Sequence, residues 1–156
     1  MLQVGDKVPD FTLLDQEDKP HSLSDYRGKR TLFYFYPKDN TPGCTAEACS
    51  LRDNIEDLKA DGLTVVGVSA DSVKSHQGFV QKHNLPFTLL SDSDKKIIEP
   101  WGVWVEKSMY GRKYMGIARA SFIVGPDLTI EAVWPKVSPL KHVKEVRDWI
   151  VEHAAK

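Results

Sequence analysis

Apolar and polar positions along the 156 residues fall into runs that mark out elements before any chemistry is considered. Thr31-Leu32-Phe33-Tyr34-Phe35-Tyr36 is apolar or aromatic on both faces, which predicts a buried central strand stopped by Pro37. Thr64 to Ser69 reads as a second buried strand, and Phe87 to Leu90 as a short one. Phe11 to Leu14 and His21 to Leu23 flank the polar stretch Asp15 to Lys19 and predict an N-terminal hairpin. Ala48, Leu51, Ile55 and Leu58 recur at helical spacing, which predicts one helix over residues 42–60, ended by Asp61-Gly62. Ser72 to His83 is a second helix, capped by Asp71 or Ser72, and Ser93 to Trp101 a short one. Val103 to Gly116 is poorly periodic and reads as loop. Arg119 to Val124 and Ile130 to Trp134 form a hairpin around Gly125-Pro126-Asp127. Ser138-Pro139 then opens a last helix to about His153, with Leu140, Val143, Val146, Trp149 and Ile150 inward.

The order is hairpin, βαβα, strand and short helix, then ββα. Strands alternating with helices require a parallel sheet with crossovers, and the closing hairpin adds antiparallel edge strands. The expected fold is therefore α/β: a thioredoxin fold with an N-terminal β-hairpin extension, a strand-helix insertion and a mixed central sheet flanked by helices. No repeat, low-complexity tract or linker interrupts it, so residues 1–156 read as a single domain.

Composition narrows the function. Hydrophobic residues at 41% and charged residues at 28% argue against wholesale disorder. With 21 basic and 22 acidic side chains, there is no electrostatic footprint for nucleic acid or an anionic membrane. No apolar run reaches the ~18 residues of a transmembrane helix. Met1 to Asp6 does not resemble an export signal, so the expected compartment is the cytoplasm. No apolar stripe is left over for an obligate interface, and a monomer is expected. The only cysteines, Cys44 and Cys49, show no metal-ligand spacing with the five histidines, so no metal site is indicated.

The segment Pro37 to Cys49 carries the chemistry. It joins the end of a central strand to a helix start, where open α/β sheets bind ligands. Thr41-Pro42 reads as N-cap and first helical residue, which puts Cys44 at the third helical position. There, unpaired backbone N–H groups and the helix dipole favour thiolate, the nucleophilic form. Cys44, Ala48, Leu51 and Ile55 share one stripe, so Cys44 faces the sheet. Cys49 lies about 140° around the helix, with its Cα about 8.7 Å from that of Cys44 on ideal geometry. A disulfide needs Cα atoms closer than about 7 Å, so the pair cannot bridge while the helix is intact. The spacing is too long for a dithiol oxidoreductase of the Cys-x-x-Cys type, and a single Cys-x4-Cys is weak as a zinc site. His76 and His83 look like solvated helix positions. Thr41 has a capping role to fill, Pro37 a strand to end, and Arg119 reads as a surface residue.

Pro37-x3-Thr41-x2-Cys44 resembles the active-site motif of the peroxiredoxins. Tyr34-Phe35-Tyr36-Pro37-Lys38 and Thr41-Pro42-Gly43-Cys44-Thr45 look like the bacterioferritin comigratory protein, or peroxiredoxin Q, subfamily, whose resolving cysteine Cys49 is similar to. Pro9-Asp10-Phe11, Asp25 to Lys29, Thr88 to Asp92, Gly102-Val103-Trp104 and Arg119 to Phe122 extend the resemblance over nearly the whole chain. Trp101 and Val105 stand where a phenylalanine or tyrosine and a glycine would be expected. The resemblance implies a thiol peroxidase, an atypical two-cysteine peroxiredoxin acting on hydrogen peroxide and organic hydroperoxides, with no metal or bound cofactor. Cys44 would attack the peroxide and become a sulfenic acid. Thr41 would offer its hydroxyl to the peroxide, Arg119 would stabilise the thiolate and the leaving oxygen, and Pro37 would shield the pocket. Cys49 would then close an intramolecular disulfide, recycled by thioredoxin or a similar dithiol. Glu47 would orient Arg119 or merely complement the helix dipole. A thiol–disulfide exchange protein without peroxidase activity is the alternative.

Overall fold

The computed structural model describes residues 1–153. Strands β1 (Thr12–Leu14) and β2 (Pro20–Ser22) form the expected hairpin. The Asp15 carboxylate closes its turn by accepting the amides of Glu17 and Lys19 at 2.8 and 3.0 Å. A 3-10 turn follows at Leu23–Tyr26, then β3 (Arg30–Phe35). Helices α1 (Pro42–Asp53) and α2 (Ile55–Ala60) lead to β4 (Leu63–Ser69), and α3 (Val73–His83) leads to β5 (Thr88–Ser91). The chain then forms β6 (Trp104–Met109), β7 (Arg112–Ile117), β8 (Ala120–Val124), β9 (Ile130–Trp134) and α4 (His142–His153).

Seven strands make one sheet in the order β2-β1-β5-β4-β3-β8-β9. The core β5-β4-β3 is parallel, while β1 and β8 join it antiparallel. This is the expected thioredoxin-like mixed sheet. Alternation along β3 sends its aromatic residues to both faces. Leu32, Tyr34 and Tyr36 pack with Cys44, Ala48 and Leu51 of α1, Phe79 of α3, and Val143, Val146 and Ile150 of α4. Phe33 and Phe35 face the other way, onto Trp101, whose ring lies 5.4 and 5.2 Å from theirs. Trp101 is thus a buried centre of the second core, with Phe122 edge-on at 5.2 Å.

Four expectations need correction. The helix over 42–60 is two helices, because Asn54 leaves helical geometry (φ −113°, ψ 10°) and its side-chain amide donates to the Ser50 carbonyl at 2.8 Å. Ser93 to Trp101 forms turns rather than a helix. Buried Asp92 accepts the amides of Lys96, Ile97 and Ile98 at 2.6–3.0 Å, and Lys95 sits in the left-handed region at φ 56°, which interrupts helix growth. The strand-helix insertion of the expected fold is therefore a strand followed by turns. The poorly periodic stretch 103–116, which reads as loop in sequence, is mostly a separate antiparallel hairpin, β6–β7. Tyr110 and Gly111, at φ 53° and 78°, supply the two positive φ values that a tight hairpin turn requires. Finally, α4 begins at His142, not at Pro139, and Leu140 is 77% exposed instead of inward.

One register feature places the site. Phe35, the last residue of β3, pairs with Ala120, the first of antiparallel β8. Arg119 therefore arrives beside the carboxyl end of β3, where the chain turns through 36–41 into α1.

Candidate active site

The loop from β3 to α1 is tied down by a buried polar cluster. Asp39 accepts the Tyr36 hydroxyl at 2.6 Å and the Ser75 hydroxyl at 2.8 Å, and its amide donates to Asp71 at 2.8 Å. His76, fully buried, has Nδ1 2.7 Å from Asp39 and Nε2 2.9 Å from the Leu90 carbonyl. A carbonyl can only accept, so Nε2 carries a proton. Sequence reasoning took His76 for a solvated helix position. The polar pattern of α3 could not show that Asp39, 37 residues earlier, folds in to meet it. Asp39, Asp71 and His76 bring ligand-type atoms within 4.8 Å of one another. Those atoms are engaged by Tyr36, Ser69, Ser75 and the Asp39 amide, so the cluster serves as a brace.

Thr41 takes the N-cap position and Pro42 the first helical one, as expected. The Thr41 hydroxyl does not cap, however: it donates to the Lys38 carbonyl at 2.8 Å. Proline at the first helical position removes one orphan donor. Pro37 is half-buried at the exit of β3.

Cys44 is the third residue of α1 and 1% exposed, facing the sheet. Arg119 Nη2 donates to its sulfur at 3.4 Å, while Nη1 donates to Glu47 Oε1 at 2.9 Å. The guanidinium fork thus bridges two residues one helical turn apart, and Arg119 is not the surface residue its position suggested. Gly43 makes this approach possible: a Cβ there would lie 3.0 Å from Arg119 Nη2. Burial opposes the Arg119 charge, but Cys44 and Glu47 outweigh it and hold the guanidinium protonated. Lys107 on β6 stands in the same field; burial and the Arg119 charge push its ammonium below the ordinary value, against the pull of Cys44. Sequence reasoning missed Lys107 because it placed the residue in a loop. Cys49 is half-buried on another flank of α1, and both cysteines are free thiols. Its sulfur lies 3.8 Å from His83 Nδ1 at the end of α3, so His83 is not simply solvated.

Glu47 is 1% exposed, and its Oε2 has no hydrogen-bond partner among the described residues. Burial pushes its carboxyl up to about 7, against the lowering effect of Arg119. The folded value lies above the ordinary 4.5, so the stability linked to this proton is complete below about pH 4.5 and is lost as pH rises through about 7. The shift corresponds to about 3 kcal/mol. His142 works in the opposite sense, since burial lowers it from 6.5 to about 4 and it favours folding as pH rises across that window. Comparing Glu47→Gln with the parent chain cancels His142. Between pH 5 and pH 8 the urea midpoint of the parent should fall relative to that of the variant. Parallel pH profiles would mean that Glu47 does not titrate in this window.

A cysteine in the first turn of a helix is thus bridged to a buried carboxylate by an arginine that immediately precedes the opposing strand of a thioredoxin-like sheet. Residues 4–133 match the AhpC/TSA family, and the chain belongs to it. Within that family it is similar to the peroxiredoxins called Bcp and PrxQ, which are peroxidases. Peroxiredoxin Bcp of Escherichia coli K12 is 46% identical over 153 residues, covering 98% of each chain. Among solved structures, a cysteine-to-serine variant of Xylella fastidiosa PrxQ superposes with a TM-score of 0.93 at 35% identity, covering 99% of this chain and 98% of that one. Xanthomonas campestris bacterioferritin comigratory protein, described by its alkyl peroxide reduction activity, gives a TM-score of 0.87 at 34% identity over 92% of each chain.

Proposed function

We propose that this chain reduces hydrogen peroxide and organic hydroperoxides through Cys44, with Cys49 closing the cycle. The observation that carries this reading is the Arg119 fork, with one arm on the Cys44 sulfur and the other on buried Glu47. The cation 3.4 Å from the sulfur stands ready for charge that develops on a departing oxygen.

In the first step the Cys44 thiolate attacks one peroxide oxygen and the O–O bond breaks. The second oxygen leaves with the bonding pair, takes a proton and departs as water or alcohol. Thr41 accepts a hydrogen bond from the peroxide O–H, its own proton being engaged by Lys38. Pro37, half-buried at the strand exit, limits water around the sulfur. Cys49 then attacks the Cys44 sulfenic acid, a disulfide forms and water leaves. Thioredoxin, or another dithiol protein, returns both thiols. The Xanthomonas relative's alkyl peroxide reduction supports including organic hydroperoxides.

The reading further takes the chain as a single-domain, monomeric, cytoplasmic enzyme. Val143, Val146 and Ile150 of α4 are spent inside, and no helix among the described residues is long and apolar enough to cross a membrane.

Intact mass before and after one equivalent of hydrogen peroxide tests this. The parent chain should lose the mass of two hydrogens, Cys49→Ser should gain one oxygen, and Cys44→Ser should not change. Oxidation of Cys44→Ser at the parent rate would assign the nucleophile elsewhere. Oxidation of the parent by small disulfides but not by peroxide would favour a thiol–disulfide exchange protein.

A further inference from the structure

We propose that His83 is the proton acceptor that prepares Cys49 for the resolving step, an inference that rests on the reading of Cys49 as the residue that attacks Cys44. The Cys49 sulfur lies 3.8 Å from His83 Nδ1, within hydrogen-bonding range for sulfur. A thiol can donate, and a neutral imidazole with its proton on Nε2 offers Nδ1 as the acceptor.

The ring is held for this contact from three sides. His83 is the last residue of α3, with Asn84 in the left-handed cap position behind it. Arg52 Nη1 donates to the His83 carbonyl at 2.7 Å, which clamps the end of α3 against α1. Phe79, fully buried, meets the imidazole edge-on at 5.3 Å and 78°. Arg52 also follows Cys49 by three residues on α1, so a positive charge stands one turn away, shared with Asp53 at 2.9 Å. The two cysteines thus have separate partners on separate flanks of the helix: Arg119 and Glu47 for Cys44, His83 and Arg52 for Cys49.

The step balances as follows. The Cys49 thiol proton passes to His83 Nδ1 while the helix is closed. As the helix opens, the thiolate pair forms the S–S bond to Cys44 and the sulfenic S–O bond breaks. Hydroxide leaves with the S–O bonding pair and takes up the proton released by the imidazolium, by way of solvent, as water. The Cys49 sulfur is oxidised and the Cys44 sulfur reduced to the disulfide level, with no outside oxidant.

His83→Gln keeps a polar side chain and the main-chain contact to Arg52 but removes the base. Two rates read the result. In a Cys44→Ser background, His83→Gln should slow iodoacetamide alkylation of Cys49 at pH 7. With both cysteines present, acid-quenched intact mass after a pulse of peroxide should show disulfide formation slowed about 100-fold, the low end of what a positioned base supplies. Sulfinic acid should build up in its place under excess peroxide. Added imidazole should restore disulfide formation in His83→Ala, which a purely structural loss would not allow. Unchanged disulfide formation in His83→Gln overturns the proposal, whether or not alkylation slows, because another step then sets the rate. Absence of any Cys44–Cys49 disulfide in the parent chain overturns the reading of Cys49 and the proposal with it. A parent disulfide that forms equally fast without His83 overturns the proposal alone.

Discussion

Replacing Arg119 by lysine should cut the rate of Cys44 oxidation by peroxide by roughly one to three powers of ten, about 1.4–4 kcal/mol of transition-state stabilisation. Charge is preserved in this variant, and Lys107 remains nearby as a second cation, so the loss isolates geometry. Arginine reaches the Cys44 sulfur at 3.4 Å and Glu47 at 2.9 Å from two nitrogens of one rigid plane. An ammonium is a single point of charge on a flexible stem and cannot fix both distances at once. The reacting oxygens need a donor whose direction is set in advance, and Glu47 sets it by anchoring the other arm. Gly43 leaves the space, and a lysine there would be free to turn toward solvent. Second-order rate constants from stopped-flow mixing with hydrogen peroxide give the comparison, with thermal unfolding as the check that the sheet survives. An unchanged rate constant would return Arg119 to a structural pairing with Glu47 and remove it from the reaction.

That contact marks the boundary of what the chain reveals by itself. Local pattern was enough for β3, because six residues apolar on both faces have few alternatives to a central strand. It was also enough for the start of α1, because Thr41-Pro42 is a strong opening signal and the Ala48-Leu51-Ile55 stripe fixes which way Cys44 points. The meeting of Arg119 with Cys44, 75 residues apart, depends on the antiparallel register of β8 against β3, and no periodicity encodes that. Only resemblance to a family brought Arg119 into consideration. The β6–β7 hairpin escaped for the opposite reason. Its strands are largely exposed, so neither face carries the apolar alternation that marks a half-buried strand, and its turn is Tyr110-Gly111 in place of the usual Asn-Gly. The Ser93 to Trp101 turns looked helical because Ile97, Ile98 and Trp101 have helical spacing. Asp92 takes the amides that would have started the helix. His76 and His83 were misjudged together, since a polar residue on a helix facing another buried polar group looks the same in sequence as one facing water.

Oxidation to the Cys44–Cys49 disulfide should strip hydrogen-exchange protection from the first turns of α1 by roughly two powers of ten, the ~3 kcal/mol that separates a packed helix from a frayed one. Both cysteines lie in one regular helix, Pro42–Asp53, where ideal geometry holds their Cα atoms about 8.7 Å apart, beyond the ~7 Å limit for a bridge. The bond therefore requires unwinding, and the structure bounds how far it spreads. Upstream, Asp39 is fixed to Tyr36, Ser75 and His76, so the end of β3 and the loop's first half stay in place. Downstream, Leu51 is fully buried and Arg52 clamps the end of α3, which holds the second half of the helix. The amides of Thr45, Ala46 and Glu47 lie between these anchors and should exchange fastest, while α3, α4 and the sheet keep their protection. Opening this turn also carries Glu47 away from Arg119, so the ion pair that orients the guanidinium breaks in the oxidised form. In the proposed cycle a dithiol reductant would then meet the disulfide in a loosened segment. Exchange measured by mass spectrometry on peptides spanning residues 42–50, in reduced and disulfide forms, decides the matter. Equal protection with the Cys44–Cys49 bond confirmed by mass would show that the segment accommodates the bridge without unwinding, and the argument from helix geometry would fail.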